Sequence, residues 1–222
     1  MLTIVTWLWG DKYGAEDVKR LQRGIARNLK DEHRFLCVTD DPIDGVETTI
    51  IKDPGLTKHK GCIARLRLFD EVWQRDIGCK DGDRIVNIDL DVVVTGDLAP
   101  LFCRADSFTI LTGANAANPC PYNGSVWMLR AGAHVDVWED FTLNALSMIP
   151  AHEFPDDQGW MAARLPGVVG WKVGSPSGIY AFQKPAWPKG DALPKDARLV
   201  VFPGWRSPEK FKHLDWIKEH WC

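Results

Sequence analysis

No apolar run in the sequence approaches the length needed to cross a membrane, so no integral membrane segment is expected. The opening residues, MLTIVTWLWGDK, lack a basic leader and their apolar stretch ends at Trp9. No signal peptide is read there, and the expected location is cytoplasmic. The six cysteines (Cys37, Cys62, Cys79, Cys103, Cys120 and Cys222) are dispersed, with no C-x-x-C pair, which signals neither a zinc site nor a redox motif. A chain of 222 residues, 45% of them hydrophobic, has no need of a disulfide framework. Cys37, within FLCV, and Cys62, on the face of an expected helix, read as buried free thiols. The segment after the first apolar run has neither GxGxxG nor GxxxxGKS/T spacing, so it is neither a Rossmann fingerprint nor a P-loop. With a formal net charge of -3, there is no electrostatic footprint for nucleic acid. Repeats, linkers and low-complexity tracts are also missing, and one domain over residues 1–222 is expected.

What the sequence does have is a regular first half. Residues 2–9 read as a strand ended by Gly10 and Asp11. Val18, Leu21, Ile25 and Leu29 mark an amphipathic helix, with Glu16 and Asp17 suited to its first turn. Its basic residues Lys19, Arg20, Arg23 and Arg27 read as a solvated face. Strands follow at 34–39 and 46–51, and Cys62, Leu66, Phe69, Trp73 and Ile77 predict a second helix. Residues 80–83 turn the chain into the central run DRIVNIDLDVVVTGDL. This β-α-β-β-α-β order predicts an α/β fold in which helices flank a mixed, mostly parallel sheet. Ligands of such sheets bind at the carboxyl ends of the strands. The second half predicts strands near 108–111, 125–129, 168–173, 179–182 and 198–202, with helices at 135–146, 156–165 and 211–221.

Asp89 and Asp91, one residue apart beyond a buried strand, are costly unless a cation sits between them. A divalent metal carrying phosphate oxygens suits two carboxylates; two solvated acids are the plain alternative. Asn123, in Tyr122-Asn123-Gly124-Ser125, offers a donor and an acceptor to sugar hydroxyls, or simply forms a turn. Asp157 and Gln158 open a helix as a cap, or stand beside a reacting carbon. Arg65, with Arg67 beyond it, suits bidentate contact with pyrophosphate or sugar oxygens. Trp9, Lys12 and Tyr13 combine an aromatic for stacking a base with a cation for phosphate. The eleven tryptophans, several beside Gly or Pro, hint at sugar-stacking platforms.

The order of these pieces resembles the GT-A-fold retaining glycosyltransferases, the group that includes glycogenin and the bacterial lipopolysaccharide galactosyltransferases. The matching residues are Ile63-Ala64-Arg65-Leu66, Val86-Asn87-Ile88-Asp89-Leu90-Asp91, Tyr122-Asn123-Gly124-Ser125-Val126, Asp157-Gln158-Gly159, and Phe202-Pro203-Gly204 with Pro208. The resemblance implies a GT-A-like (Rossmann-like) fold, with a donor half at about 1–112 and an acceptor half at about 113–222. It implies transfer of a sugar from a nucleotide-sugar donor, most often a UDP-sugar, to a glycan, lipid or protein acceptor, with a Mn²⁺ or Mg²⁺ ion as cofactor. It assigns Asp89 and Asp91 to the metal, Asp89 also to the donor, and Asp157 and Gln158 to the anomeric carbon. Arg65, Asn123 and Gly204 fall on the donor side, where Trp9, Lys12 and Tyr13 are also expected from their residue types.

The family's third metal ligand, a His near the C-terminal Gly, falls here on Val201 or Pro203, and its phosphate-binding Lys on Ser207. Arg206 or Lys210 stands near enough in sequence to supply the lost cation, and His213 to supply a metal ligand. That departure keeps a non-catalytic nucleotide-sugar or glycan binder open. Asp89-Leu90-Asp91-Val92-Val93 also satisfies the first motif of haloacid-dehalogenase-type phosphatases, with Asp89 as nucleophile. A nucleotidyltransferase would be expected to carry a Gly-rich loop after the first strand, which Trp9–Tyr13 is not.

Overall fold

The computed structural model describes residues 1–114, 120–149 and 156–222. Strand β1 (Leu2–Leu8) is buried along nearly its whole length, so elements must pack on both of its faces. Helix α1 (Ala15–Asn28) covers one face with Val18, Leu21 and Ile25. Its Arg20 and Arg23 pair with Asp17 and Glu16 at the surface. Strands β2 (Arg34–Thr39) and β3 (Thr48–Ile50) extend the sheet on the far side of β1. Strand β3 is shorter than residues 46–51 because the Val46 N–H closes a turn on the Ile43 carbonyl at 3.1 Å.

The helix expected over residues 62–77 is in fact broken. After helix α2 (Pro54–Thr57), a 3-10 helix runs from Ile63 to Phe69, and helix α3 (Glu71–Asp76) starts anew. Asp70 makes the break by capping α3, its carboxylate accepting from the N–H groups of Val72 and Trp73. Both pieces still bury their apolar side chains, Leu66, Phe69 and Trp73 among them, which is why the spacing reads as one helix.

Strands β4 (Arg84–Ile88) and β5 (Val93–Val94) flank the two central acids. Helix α4 (Ala99–Phe102) and strands β6 (Phe108–Thr112) and β7 (Tyr122–Arg130) complete the middle of the chain. The expected helix at 135–146 is two short ones, α5 (Asp136–Glu139) and α6 (Leu143–Ser147), the second capped by Thr142. Helix α7 (Asp157–Arg164) follows, then β8 (Trp171–Lys172), β9 (Ile179–Ala181) and β10 (Leu199–Val201). Residues 211–221 likewise divide into a 3-10 turn, Pro208–Phe211, and helix α8 (Asp215–His220).

Seven strands form the main sheet in the order β3-β2-β1-β4-β7-β6-β8, and a second sheet holds β5-β10-β9. Strands β1, β2, β3 and β4 are mutually parallel, while β7 runs antiparallel to both β4 and β6. One core lies between the main sheet, α1 and the small sheet; a second lies under the 3-10 helix and α7, and a third joins the small sheet to α8. Phe69 stacks on Trp127 of β7 at 5.3 Å and 8°, fixing the 3-10 helix on the sheet. Such a pair contributes about 0.5–1.5 kcal/mol beyond its buried area. Among the described residues, no helix is long and apolar enough to cross a membrane.

Candidate functional site

Six segments distant in sequence meet where the parallel strands end, among them the 3-10 helix with Arg65 and residues 202–204. Strand β4 delivers Asp89 and Asp91, and the turn after β1 delivers Trp9, Lys12 and Tyr13. Strand β7, antiparallel, begins at this same end, and the Asp89 N–H donates to the Ser125 carbonyl at 2.9 Å. Between the pairs Ile110–Trp127 and Leu111–Asn123 the register of β7 on β6 slips. The resulting bulge carries Gly124 and Ser125 at the rim of the site. Another segment is the start of α7, tied to the turn before the 3-10 helix by the Asp157 N–H on the Gly61 carbonyl, 3.0 Å.

The ten residues expected to act as catalytic, donor or metal residues line two adjoining hollows. A cavity of about 330 Å³ takes Lys12, Arg65, Asp89, Asp91, Asn123, Asp157, Gln158 and Gly204 into its walls. A recess of about 180 Å³ shares Lys12, Arg65, Asp89 and Asp91 with it and adds Trp9 and Tyr13.

Arg65 is the keystone of this cluster, at 4% exposure. Its Nε and Nη2 lie 2.8 and 2.7 Å from one Asp157 carboxylate oxygen; its Nη1 binds Asp89 and reaches the Gly124 carbonyl at 3.2 Å. Burial works against the Arg65 charge, but Asp157 and Asp89 outweigh it and hold its pKa well above the ordinary value. Burial pushes the Asp157 carboxyl up to about 7, against the pull of Arg65. Asp157, 1% exposed, is thus directed at Arg65. Arg67, by contrast, stands outside the cluster, pairing with Asp53 and Asp70 and covering the Trp138 ring.

Gln158 receives the Gly124 N–H on its Oε1 at 2.9 Å and donates its Nε2 to Asp156 at 2.7 Å, while Asp156 caps α7 through the Gly159 N–H. An amide has two lone pairs and two N–H bonds, so one of each remains for a ligand. Asn123 spends its carbonyl on the Ser125 N–H at 3.1 Å, which leaves its amide donors for a ligand.

Asp91 accepts from the Tyr13 hydroxyl at 2.7 Å and stands 3.8 Å from the Lys12 ammonium. Burial and then the charge on Asp89 push the Asp91 carboxyl up to about 6, although Tyr13 and Lys12 pull the other way. Burial, followed by the charge on Asp91, raises the Tyr13 phenol well above its usual range. Arg65 already meets Asp89, which is 29% exposed, and Lys12 faces Asp91; whether a divalent ion fits as well can be tested on the donor set. Among the described residues no three His, Cys, Asp or Glu side chains come together, so a closed protein cage does not fit. A Mg²⁺- or Mn²⁺-type ion completed by water and substrate phosphates does fit two carboxylates. Of the two positions to which the resemblance brings the family's His, Val201 is buried in β10 and Pro203 lines the cavity; Arg206 and Lys210 line neither hollow, and His213 is exposed beside the Phe211 ring.

Sequence reasoning missed two walls. Cys62 does not lie on a helix face: it precedes the 3-10 helix in the left-handed region at φ 56 and lines both cavities. Arg65 draws its thiol down, but burial, Asp157 and Asp89 prevail and push it up to about 11. The glycine at position 61 was the available signal, since such turns favour one. Ser125 was hidden because a register slip leaves no mark in a short apolar pattern. The tryptophans are mostly packing residues: Trp171 is 4% exposed, and Trp187 packs edge-on against Phe182 at 4.9 Å. Trp205, at 64%, is the clear exception.

The chain adopts the GT-A fold, as its likeness to solved structures shows. Among solved structures it is similar to the galactosyltransferase LgtC in complex with donor and acceptor sugar analogues. That likeness has a TM-score of 0.58 at 13% identity and covers 99% of this chain and 96% of the other. An active-site glutamine-to-glutamate variant of LgtC matches with a TM-score of 0.61 at 13% identity, over 94% and 89%. No protein-family model and no curated protein sequence matches the chain.

Proposed function

We propose that this protein is a glycosyltransferase that moves a sugar from a nucleotide-sugar donor, of the UDP-sugar type, to a hydroxyl acceptor. The observation that carries this reading is the meeting of these ten candidate residues around the adjoining cavity and recess at the carboxyl ends of β1 and β4. The similarity to LgtC, whose complex holds donor and acceptor sugar analogues, supports it.

In this reading the nucleoside lies in the recess against Trp9 and Tyr13, and the diphosphate faces Lys12. Asp89 and Asp91 would hold a Mn²⁺ or Mg²⁺ ion, which when bound offsets the charge that grows on the departing diphosphate. The bond from the anomeric carbon to the phosphate oxygen breaks, with its electron pair leaving on the phosphate. An acceptor hydroxyl oxygen bonds to that carbon from the same face and its proton passes to the leaving phosphate, so configuration is retained. Gln158, with a carbonyl lone pair to spare, offers a fixed dipole to the carbon as it becomes cationic. Asn123 reads a sugar hydroxyl. Arg65 and Asp157 are positioning residues, holding Asp89 and the Gly124 carbonyl in register.

Thermal denaturation with nucleoside diphosphates tests the reading. UDP with Mn²⁺ should raise Tm, because a ligand of the native state stabilises it, and Asp91→Ala should abolish the rise. No shift with UDP, GDP, CDP or dTDP would overturn the proposal.

A further inference from the structure

The geometry points to a second carbohydrate contact on the loop after β10, built for an acceptor that carries an anionic group. The inference rests on the glycosyltransferase reading and extends it to the class of acceptor. Recess and cavity adjoin: the recess takes its walls from Trp9 and Tyr13, the cavity from Phe202, Pro203 and Gly204. With Lys12, Asp89 and Asp91 common to both, a donor seated in the recess turns its sugar toward the end formed by residues 202–204.

One residue beyond that wall stands Trp205, 64% exposed. Gly204 turns the chain there at φ +78. The Trp205 ring leans on Phe211 at 6.3 Å and 40°. Over the ring lie two cations, the Arg206 guanidinium at 5.1 Å and the Lys210 ammonium at 5.0 Å. Lys210 also donates to the Trp205 carbonyl at 2.6 Å, and Arg206 reaches the Gln183 amide oxygen at 3.5 Å. Among the described residues neither cation has a carboxylate within ion-pair distance, and Glu209, the nearest acid in sequence, is already paired with Lys212 at 2.5 Å. An exposed indole fits the apolar face of a sugar ring, and two unneutralised cations beside it select an anion. The ligand is therefore a glycoside with a carboxylate or phosphate on, or next to, the ring that stacks on Trp205. In the remainder of the cleft Lys12 and Arg65 are matched by Asp89, Asp91 and Asp157, so the acceptor meets no unneutralised cation there.

The test measures glycoside and UDP binding separately on the full chain. Methyl glucuronide, methyl glucoside 6-phosphate and neutral methyl glucoside are titrated at low salt, and indole fluorescence and the Trp205 side-chain N–H resonance are followed. At least one acidic glycoside should bind about tenfold tighter than the neutral one, the factor that two exposed charge contacts supply. The tighter of the two acids identifies the anion, and the preference should shrink as salt rises. Arg206→Gln with Lys210→Gln should remove the preference, and Trp205→Ala should remove binding and signal, while UDP affinity stays unchanged in both. Equal binding of neutral and acidic glycosides, or an unmoved Trp205 signal in a protein that binds UDP, would overturn the inference. So would a loss of UDP affinity in the Arg206/Lys210 variant, which would give those cations to the donor. Glycoside binding without any nucleotide binding would leave the platform standing and overturn the transferase reading instead.

Discussion

Gly124→Ala isolates the rigidity of the site in one methyl group. A Cβ at position 124 would come 2.8 Å from the Arg65 Nη2 and 3.1 Å from the Gln158 Cγ. The tip of a long side chain usually yields to such an intrusion, but Arg65 has nowhere to go. The same Nη2 sits 2.7 Å from Asp157, and the Nη1 is held by Asp89 and the Gly124 carbonyl. Backing away therefore stretches a buried ion pair. Overpacking a core costs about 1–3 kcal/mol and losing one partner of a buried pair about 3–5 kcal/mol. A pair stretched but not broken puts the expected loss near ~2 kcal/mol. For a chain of this length that is a fall in Tm of about 4–8 °C. Affinity for UDP with Mn²⁺ should fall as well, because Asp89 moves with Arg65. The control is Gly55→Ala in α2, where a Cβ meets nothing within 4 Å; it should raise stability by about 0.4–1 kcal/mol. A Gly124→Ala protein with Tm within about 1 °C of the parent and undiminished UDP affinity would refute the picture of a locked cluster.

Two other outcomes follow from the same packing. In urea denaturation, Arg65→Met should cost about 3–5 kcal/mol by leaving Asp157 without a cation, and Arg65→Met with Asp157→Leu should recover part of that loss. A double variant less stable than the single would contradict the pairing. In native protein, Ellman's reagent should reach Cys103 and Cys222, whereas Cys37 and Cys79 react only after unfolding. Burial pushes the Cys37 thiol up to about 12 from an ordinary 9.0, so the folded chain keeps that proton longer than the unfolded one. Its contribution to stability is full below 9 and is lost as pH rises toward 12. Rapid modification of Cys37 in folded protein at pH 8 would contradict that burial.

Elements whose pattern is set by one face were legible in the sequence. Helix α1 announced itself because Val18, Leu21 and Ile25 meet a single core. The break at Asp70 did not, because the 3-10 helix and α3 pack on the same core and preserve the apolar spacing across it. An Asp-Glu step inside a helical pattern, here Asp70-Glu71, is the signal that marks such a restart. At the site, Asp89 and Asp91 stood out because charge after a buried strand is costly. The roles of Arg65 and Asp157 were less legible, since their contacts with each other and with Gly124 join three segments far apart in sequence. Gln158 illustrates the same limit: its partners Gly124 and Asp156 come from two different elements.

The small sheet has a consequence for the order in which the cleft is assembled. Val93, two residues beyond Asp91, pairs with Val200 on a strand over a hundred residues later in the chain. Closing so long a loop is entropically slow and brings no reward until the contact is made. The four parallel strands draw on residues before Asp89 and can associate first. The segment bearing Asp91 then waits for β10 to give it a neighbour, and the wall at residues 202–204 arrives with that same strand. During synthesis the recess beside Trp9 and Tyr13 thus has its floor before the end at residues 202–204 has a wall, and a chain stopped short of Leu199 is left with half a cleft.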